Sequence, residues 1–368
     1  MLQIKMRKYL VILLLLTTGI IYSSEYPGAV FLMIWPGARP TSMAGAFSAI
    51  ADDATAAYYN SAGLGFLKER HITIMHSPWL PGLYPDMYYE YLGYVQPLRA
   101  QGTMAISAIY LTTGKTEVTD GTGLILGDYT TFDLALSGSY GLKLRSDLSV
   151  GTSAKLIYSF LVPDWVWRAM PELGIDAGGT GIAWAFDLGV LYRPKSFLSI
   201  GAALNNLGPG ISYVASTESD PLPRMLRVGI CYRPVNSDII KLNITPEITK
   251  VLVGLFKNGA TVADEWRDAW KSLGIETTIY NILSLRFGYF EDLTGQRGGI
   301  LVERNDRTEH IGLGEYLFSS DRGRFANKIG ACFGFGVHYR GFQFDVSSDQ
   351  FIYDFPTQNW KFSLSYRF

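Results

Sequence analysis

The chain has 368 residues, 48 % of them hydrophobic and 14 % aromatic, with 18 % charged, 39 glycines and a formal net charge of −1. Many aromatics and few charges exclude a disordered chain, and the glycine and aromatic content argues against a helical domain. With no basic excess, nucleic acid is not an expected partner, and two cysteines, Cys231 and Cys332, are too few for a disulfide framework or a thiolate metal site.

Lys5, Arg7 and Lys8 precede a nearly unbroken apolar stretch from Tyr9 to Tyr22, followed by Ser23 and Ser24. Positive charge, apolar stretch and small residues in that order predict a secretory signal peptide over 1–24. The stretch is shorter than the ~20 residues of a spanning helix, and no later window is long and apolar enough. An exported chain rich in Gly, Tyr and Phe is then either a secreted β protein or an outer-membrane barrel.

Residues 25–70 precede the first clear strand. Thr41 or Ser42 is placed to cap a short Ala/Gly-rich helix, with Met43, Phe47 and Ile50 on one side. Ala51-Asp52-Asp53-Ala54 then leads to the turn signal Asn60-Ser61-Ala62-Gly63. A compact amphipathic segment of this kind is expected to fold into the barrel lumen as a plug. The alternative is a periplasmic tail packed on the rim.

From His71 to Phe368 about fourteen strands are expected. Met87–Val95 is weakly patterned, with tyrosines on both faces. Phe132, Leu134, Leu136 and Tyr140 alternate with Asp133, Ala135, Ser137 and Ser139, and Leu148–Tyr158 repeats the pattern. Ile182, Trp184, Phe186, Leu188, Val190 and Tyr192 oppose Ala183, Ala185, Asp187, Gly189, Leu191 and Arg193. Leu226–Arg233 and Leu283–Tyr289 alternate likewise, while Gly298–Glu303 is weak. Asn327–Tyr339 reads as one strand, with Ile329, Ala331, Phe333, Phe335, Val337 and Tyr339 on its apolar face. Trp360, Phe362, Leu364, Tyr366 and Phe368 close the chain on an apolar face. Such runs approach the ~9–11 residues that a tilted strand needs to cross a bilayer. An apolar face ending in aromatics, opposite a polar and glycine face, fits lipid outside and a lumen inside.

Short turns are expected at Leu142–Ser146, Pro194–Lys195 and Tyr339–Gly341, and long breaks at Val162–Thr180, Ser212–Pro221 and Val251–Leu273. Within the last break, Val262, Trp266, Ala269, Trp270 and Leu273 recur at helical spacing, predicting a helical insertion over about 259–273 on the barrel end. Lys155, Asp187, Arg193, Arg227, Arg233, Arg286, Asp345, Lys361 and Arg367 fall on lumen-facing positions, where internal ion pairs are expected. No catalytic motif stands out. Gly114-Lys115-Thr116 ends like a phosphate loop, but Ile109 stands where the first glycine belongs. His71 and His76 are expected on opposite strand faces, so no shared metal is implied, and no cofactor is either.

The stretch Gly37-Ala38-Arg39-Pro40-Thr41-Ser42-Met43-Ala44-Gly45-Ala46-Phe47, then Ala51-Asp52-Asp53-Ala54, then Tyr59-Asn60-Ser61-Ala62-Gly63-Leu64, resembles the N-terminal signature of the PorV/PorQ family of outer-membrane proteins, within the FadL-like barrel group. Ala44 stands at the first of the family's paired glycines, and Ser61 replaces a proline. Tyr280–Asp292 and the ending Phe362–Phe368 resemble two further family segments. The resemblance implies an all-β, 14-stranded antiparallel transmembrane barrel with its N-terminal segment inside, and no enzyme activity. It also implies a part in type IX secretion: PorV proteins carry exported cargo, through its C-terminal signal domain, to a cell-surface sortase. A FadL-like transporter of hydrophobic small molecules is the other reading. The expected location is the outer membrane, with its lipid and the barrel assembly machinery as partners. For that machinery the aromatic terminal strand ending in Phe368 is the expected signal. Deleting Phe368 is therefore expected to lower the yield of protein in isolated outer membranes, and an unchanged yield would reject the assembly role.

Overall fold

The computed structural model describes residues 26–368 apart from 84–85, 99–100, 171–173, 175–176, 215–218, 305–306, 320–323 and 353–358. The expected signal peptide lies outside the described residues. The chain opens with a 3-10 turn at Val30–Met33 and two short helices, α1 (Ala38–Ser42) and α2 (Ala56–Tyr59), followed by a second 3-10 segment, Ser61–Phe66. Then come β1 (His71–Pro78), β2 (Tyr88–Pro97), β3 (Thr103–Thr119), β4 (Ile125–Lys143), β5 (Leu148–Phe160), β6 (Thr180–Lys195), β7 (Leu198–Leu207), β8 (Met225–Asn236), β9 (Ile240–Val251), β10 (Trp270–Ile279) and β11 (Leu283–Asp292). After β12 (Arg297–Gly298), β13 (Ile300–Arg304), β14 (Arg307–Ile311) and β15 (Arg324–Ile329), the chain ends in β16 (Ala331–Tyr339), β17 (Phe342–Ser348) and β18 (Trp360–Arg367). The breaks carry α3 (Asp164–Ala169), α4 (Val262–Asp268) and α5 (Leu313–Phe318).

The sheet closes on itself. β1 to β11 pair in order, β11 pairs with β16, and β16 to β18 return to β1, every pairing antiparallel. That makes a barrel of fourteen strands, as expected from the alternation. Closure follows from the solvent: hydrocarbon cannot hydrogen-bond an edge strand, so every backbone group must find its partner within the sheet. On β6 the outward side chains from Ile182 to Val190 are 44 % to 65 % exposed, while Ala183, Ala185 and Asp187 are buried inside. An apolar face this continuous is what lipid contact requires. Turns of a few residues join β2–β3, β4–β5, β6–β7, β8–β9, β10–β11 and β16–β17 at one end, and the long segments gather at the other. In such barrels the short-turn end is periplasmic. No helix of the described residues is long and apolar enough to cross a membrane.

Four expectations need correction. The Asn327–Tyr339 run is not one strand. It breaks at Gly330, where β15 belongs to a small sheet β14–β13–β15 and β16 to the barrel. Gly330 sits at the junction: its N–H donates to Gly299, its carbonyl accepts from Phe290, and a Cβ there would lie 2.3 Å from the Phe290 oxygen. Gly298–Glu303 correspondingly falls in β12 and that small sheet, not in the barrel wall. Thr41 and Ser42 end α1 instead of capping a helix after them, because Ala44 and Gly45 turn to positive φ and stop helical continuation. The helical insertion stops at Asp268. Ala269 is extended, and Trp270 and Leu273 belong to β10, Leu273 packing under the small sheet beside Tyr289, Ile300 and Val302. What remains of the helix is well started. Thr261 and Asp264 form a capping box, and the backbone N–H and hydroxyl of Thr261 hold the Asp264 carboxyl below its ordinary pKa.

The N-terminal segment fills the barrel. Gly28 donates to Pro221 at the long-loop end, and the chain enters β1 at the short-turn end. Between them, Phe31, Leu32, Trp35, Met43, Phe47, Ile50, Tyr58 and Tyr59 form one apolar core with inward side chains such as Met75, Tyr89, Ile109 and Ile157. The wall meets this plug on glycine. Gly334 of β16 approaches Ser42, Gly288 and Gly274 approach Met43, Gly229 and Gly201 approach Ser48, Gly189 approaches Asn60, and Gly151 and Gly141 approach Ser61. Gly141, Gly151 and Gly189 are successive register partners across β4, β5 and β6, so the belt runs level around that arc. A side chain there would displace backbone: a Cβ at Gly201 would stand 2.2 Å from the Ser48 carbonyl oxygen. Gly201→Val is expected to cost about 1–3 kcal/mol of stability. Gly138→Val, where a Cβ meets nothing within 4 Å, is expected to change it by less than about 0.5 kcal/mol. Urea midpoints followed by tryptophan fluorescence compare the two.

Candidate functional site

The signature residues at the N-terminus converge on one lock. Arg39, on α1, reaches β10 with both arms of its guanidinium, Nε at 2.8 Å and Nη2 at 2.9 Å from the two Glu276 oxygens. Its Nη1 lies 2.6 Å from Asp52 and 3.2 Å from Asp53. The guanidinium also lies over the Phe47 ring at 5.1 Å. Asp53 in turn accepts from the Thr55 N–H and hydroxyl. Gly37, at positive φ, leads into α1, and the Ala38 N–H donates to Ser363 of β18. Met43, Ala46 and Phe47 are buried, and Gly45 packs against the Trp35 indole. Asn60 donates to Ser48 and Val190 and accepts from the Ala62 N–H. Gly63 leaves room for the Ala51 carbonyl, 2.0 Å from where its Cβ would be. Ala44, at φ 55°, occupies the left-handed region where the family signature carries glycine.

Glu276 was missed by sequence reasoning. Helical spacing through Leu273 masks the start of β10 and, with it, the lumen parity of Glu276. It holds a second arginine as well: Arg286 Nε lies 2.7 Å from Glu276 and its Nη1 2.7 Å from Asp345. The planar bidentate pairing of Arg39 with Glu276 needs arginine, not lysine.

The expected lumen charges divide into two groups. Lys155 pairs with Asp187 at 2.9 Å, Arg227 with Glu247 at 3.6 Å, Arg286 with Asp345, and Lys361 with Asp349 at 3.5 Å, all deeply buried. Arg193, Arg233 and Arg367 have no ion pair among the described residues. Arg193 lies over the Phe66 ring at 4.2 Å and donates to the Ile50 carbonyl, and Arg233 donates to Ser199. These three line a cavity of about 690 Å³ at the short-turn end, together with Lys195, Lys241 and Arg340. Its floor is the Arg39–Glu276–Asp52 lock.

Ser284 and His338 also line this cavity, Oγ to Nε2 at 2.9 Å. No carboxylate hydrogen-bonds the other ring nitrogen among the described residues, so the pair lacks the orienting group of a catalytic triad. His71 faces inward, and His76 faces outward, 2.6 Å from Glu90. Cys231 on β8 and Cys332 on β16 are on strands that do not adjoin, and both thiols are free. Among the described residues no three metal-binding side chains gather.

The residues expected as an assembly signal lie along the seam between β18 and β1. Trp360 packs edge-on against Phe333, Phe362 and Leu364 face outward, and the Tyr366 ring lies tilted between Phe342 at 4.4 Å and Phe368 at 5.2 Å. Phe368 and Arg70 exchange backbone hydrogen bonds, tying the end of the chain to the start of β1.

A closed fourteen-strand barrel, apolar outside and filled by its own N-terminal segment, is a plugged outer-membrane barrel of the FadL-like kind. The model of the family described as type IX secretion system protein PorV matches residues 25–257, more than half of the chain, and the protein belongs to the PorV family. Among solved structures it is similar to the toluene transporter TodX of P. putida, with a TM-score of 0.52 and 13 % identity over 90 % of this chain and 98 % of that one. A TodX mutant described as a monoaromatic hydrocarbon channel gives a TM-score of 0.56 at the same identity and coverage. At such identity the likeness shows the fold alone. No curated protein matches the sequence.

Removing one partner of a buried, hydrogen-bonded ion pair leaves the other uncompensated and costs roughly 3–5 kcal/mol. Arg39→Ala and Glu276→Gln are each expected to destabilise the barrel by about that amount. The double variant is expected to fall short of the sum, because the two share one interaction. Urea unfolding of the three variants checks this.

Proposed function

We propose that this barrel is a docking protein of the outer membrane, exported by the signal peptide at 1–24, that binds secreted cargo or secretion-system partners at its long-loop end and so takes part in protein secretion to the surface. The observation that carries the reading is the lumen: the plug meets the wall on backbone and glycine, and wall hydrogen bonds fasten it along its length, from Lys361 on Trp35 to Thr103 on Leu67. A barrel packed in this way serves better as a platform than as a conduit. The long-loop end offers the contact surface. β3 and β4 run past their neighbours, β2 pairing only up to Thr112 and β5 only from Phe132, so a two-stranded ribbon projects beyond the rim. Leu124, at its tip, is 64 % exposed, and Phe318 on α5 is 88 % exposed. Open ribbon edges and apolar tips suit partners that are themselves β domains.

Transport of hydrophobic small molecules is the competing reading, and it needs an apolar cavity of a few hundred Å³ leading outward. The 690 Å³ cavity faces the other end and is lined by charges, which weighs against it. Pull-down of the tagged protein from its own cells decides. Recovery of proteins with C-terminal β domains, reduced when Leu124 and Ile125 are both changed to Asp, is the expected result. Recovery of no protein, together with uptake of fatty or aromatic solutes by reconstituted vesicles, would replace this reading with the transporter.

A further inference from the structure

We propose that the cavity at the short-turn end is a binding site for an acidic, carboxylate-rich peptide segment of a periplasmic protein. The chain as a whole is nearly neutral, with a net charge of −1. Its lumen is nearly neutral too, since the buried lysines and arginines above the cavity each face a carboxylate. The cavity is the exception. Arg193, Lys195, Arg233, Lys241, Arg340 and Arg367 line it, and none of the six has an ion pair among the described residues. The two acidic residues that line it, Asp52 and Glu276, are occupied by Arg39.

The six cations come from β6, β8, the start of β9, the β16–β17 turn and β18, two groups of neighbouring strands that the closed sheet brings to one mouth. Uncompensated charges of one sign in a concave, low-dielectric mouth focus the field along the axis and concentrate counter-charge there. Arg193 is held by the Phe66 ring and Arg233 by Ser199, so part of the array is already ordered before a ligand arrives. Access distinguishes the occupants. Lipid phosphates lie outside the barrel wall, whereas the cavity opens along the axis at the short-turn end, which is periplasmic in such barrels. At about 690 Å³ it has room for a short extended segment, with the lock of Arg39 and Glu276 as its floor. The site lies at the opposite end from the long loops, so its failure would leave the docking reading above untouched.

Fluorescein-labelled hexaglutamate, titrated with the detergent-solubilised full chain in low salt and read by fluorescence anisotropy, tests the site. The expected result is saturable binding that weakens steeply as salt rises, with no binding of labelled hexalysine. Arg233→Glu with Lys241→Glu is expected to weaken binding by about tenfold or more. The milder pair Arg233→Gln with Lys241→Gln should give an intermediate loss, and unchanged heat-modifiable migration on gels shows that either barrel has closed. No binding by the native protein, or binding unaffected in closed charge-reversed barrels, would overturn the proposal. Inorganic pyrophosphate binding as tightly as the peptide would also overturn it, leaving a phosphate site in its place.

Discussion

A peptide group in hydrocarbon has no water to turn to, and the whole molecule follows from that. Every strand needs two neighbours, so the sheet must return to its first strand, and the return is made between β18 and β1. A closed cylinder of fourteen strands encloses more space than its own inward side chains fill, and the N-terminal segment occupies it. The wall accommodates that segment by omitting side chains at the level where it passes, and the segment contributes the aromatic and aliphatic side chains that the wall lacks there. The barrel and its filling are one core.

The charges inside the lumen obey the same rule of completion. Burying an ion without a partner is expensive, so the lysines and arginines at mid-depth are matched one by one with acids from neighbouring strands or from the plug. Arg39 and Glu276 make the central match, because each also serves a second partner: Arg39 the plug's own Asp52 and Asp53, Glu276 the wall's Arg286. Among the described residues, the lumen cations at the short-turn end have no such match. The unmatched arginines there line the cavity at that end.

Strand alternation made the barrel legible, since period two with an apolar face sustained over membrane length fits a lipid-facing strand and little else. It failed where the alternation was continuous but the sheet was not. Nothing in the pattern from Asn327 to Tyr339 distinguishes Gly330 from the glycines beside it, and only the backbone approach of Gly299 and Phe290 does so. The stretch from Trp266 to Leu273 satisfies helical spacing by coincidence, because Trp270 turns inward while Leu273 is covered from outside by the small sheet. The lumen cations were readable one at a time by parity. Their sorting into paired and unpaired sets was not, because pairing depends on which strands become neighbours in depth and around the circumference. The signature residues are visible as a resemblance, but their joint purpose needs Glu276, 237 positions from Arg39.

The path of the plug constrains how such a molecule can be made. It begins against Pro221 beyond one rim, runs down the axis past Trp35 and Phe47, and leaves beyond the other rim into β1. At the wall glycines that chain stands where side chains would otherwise be, 2.2 Å from a Cβ at Gly189 or Gly201. The pairing of the first strand with the final one is what encloses it.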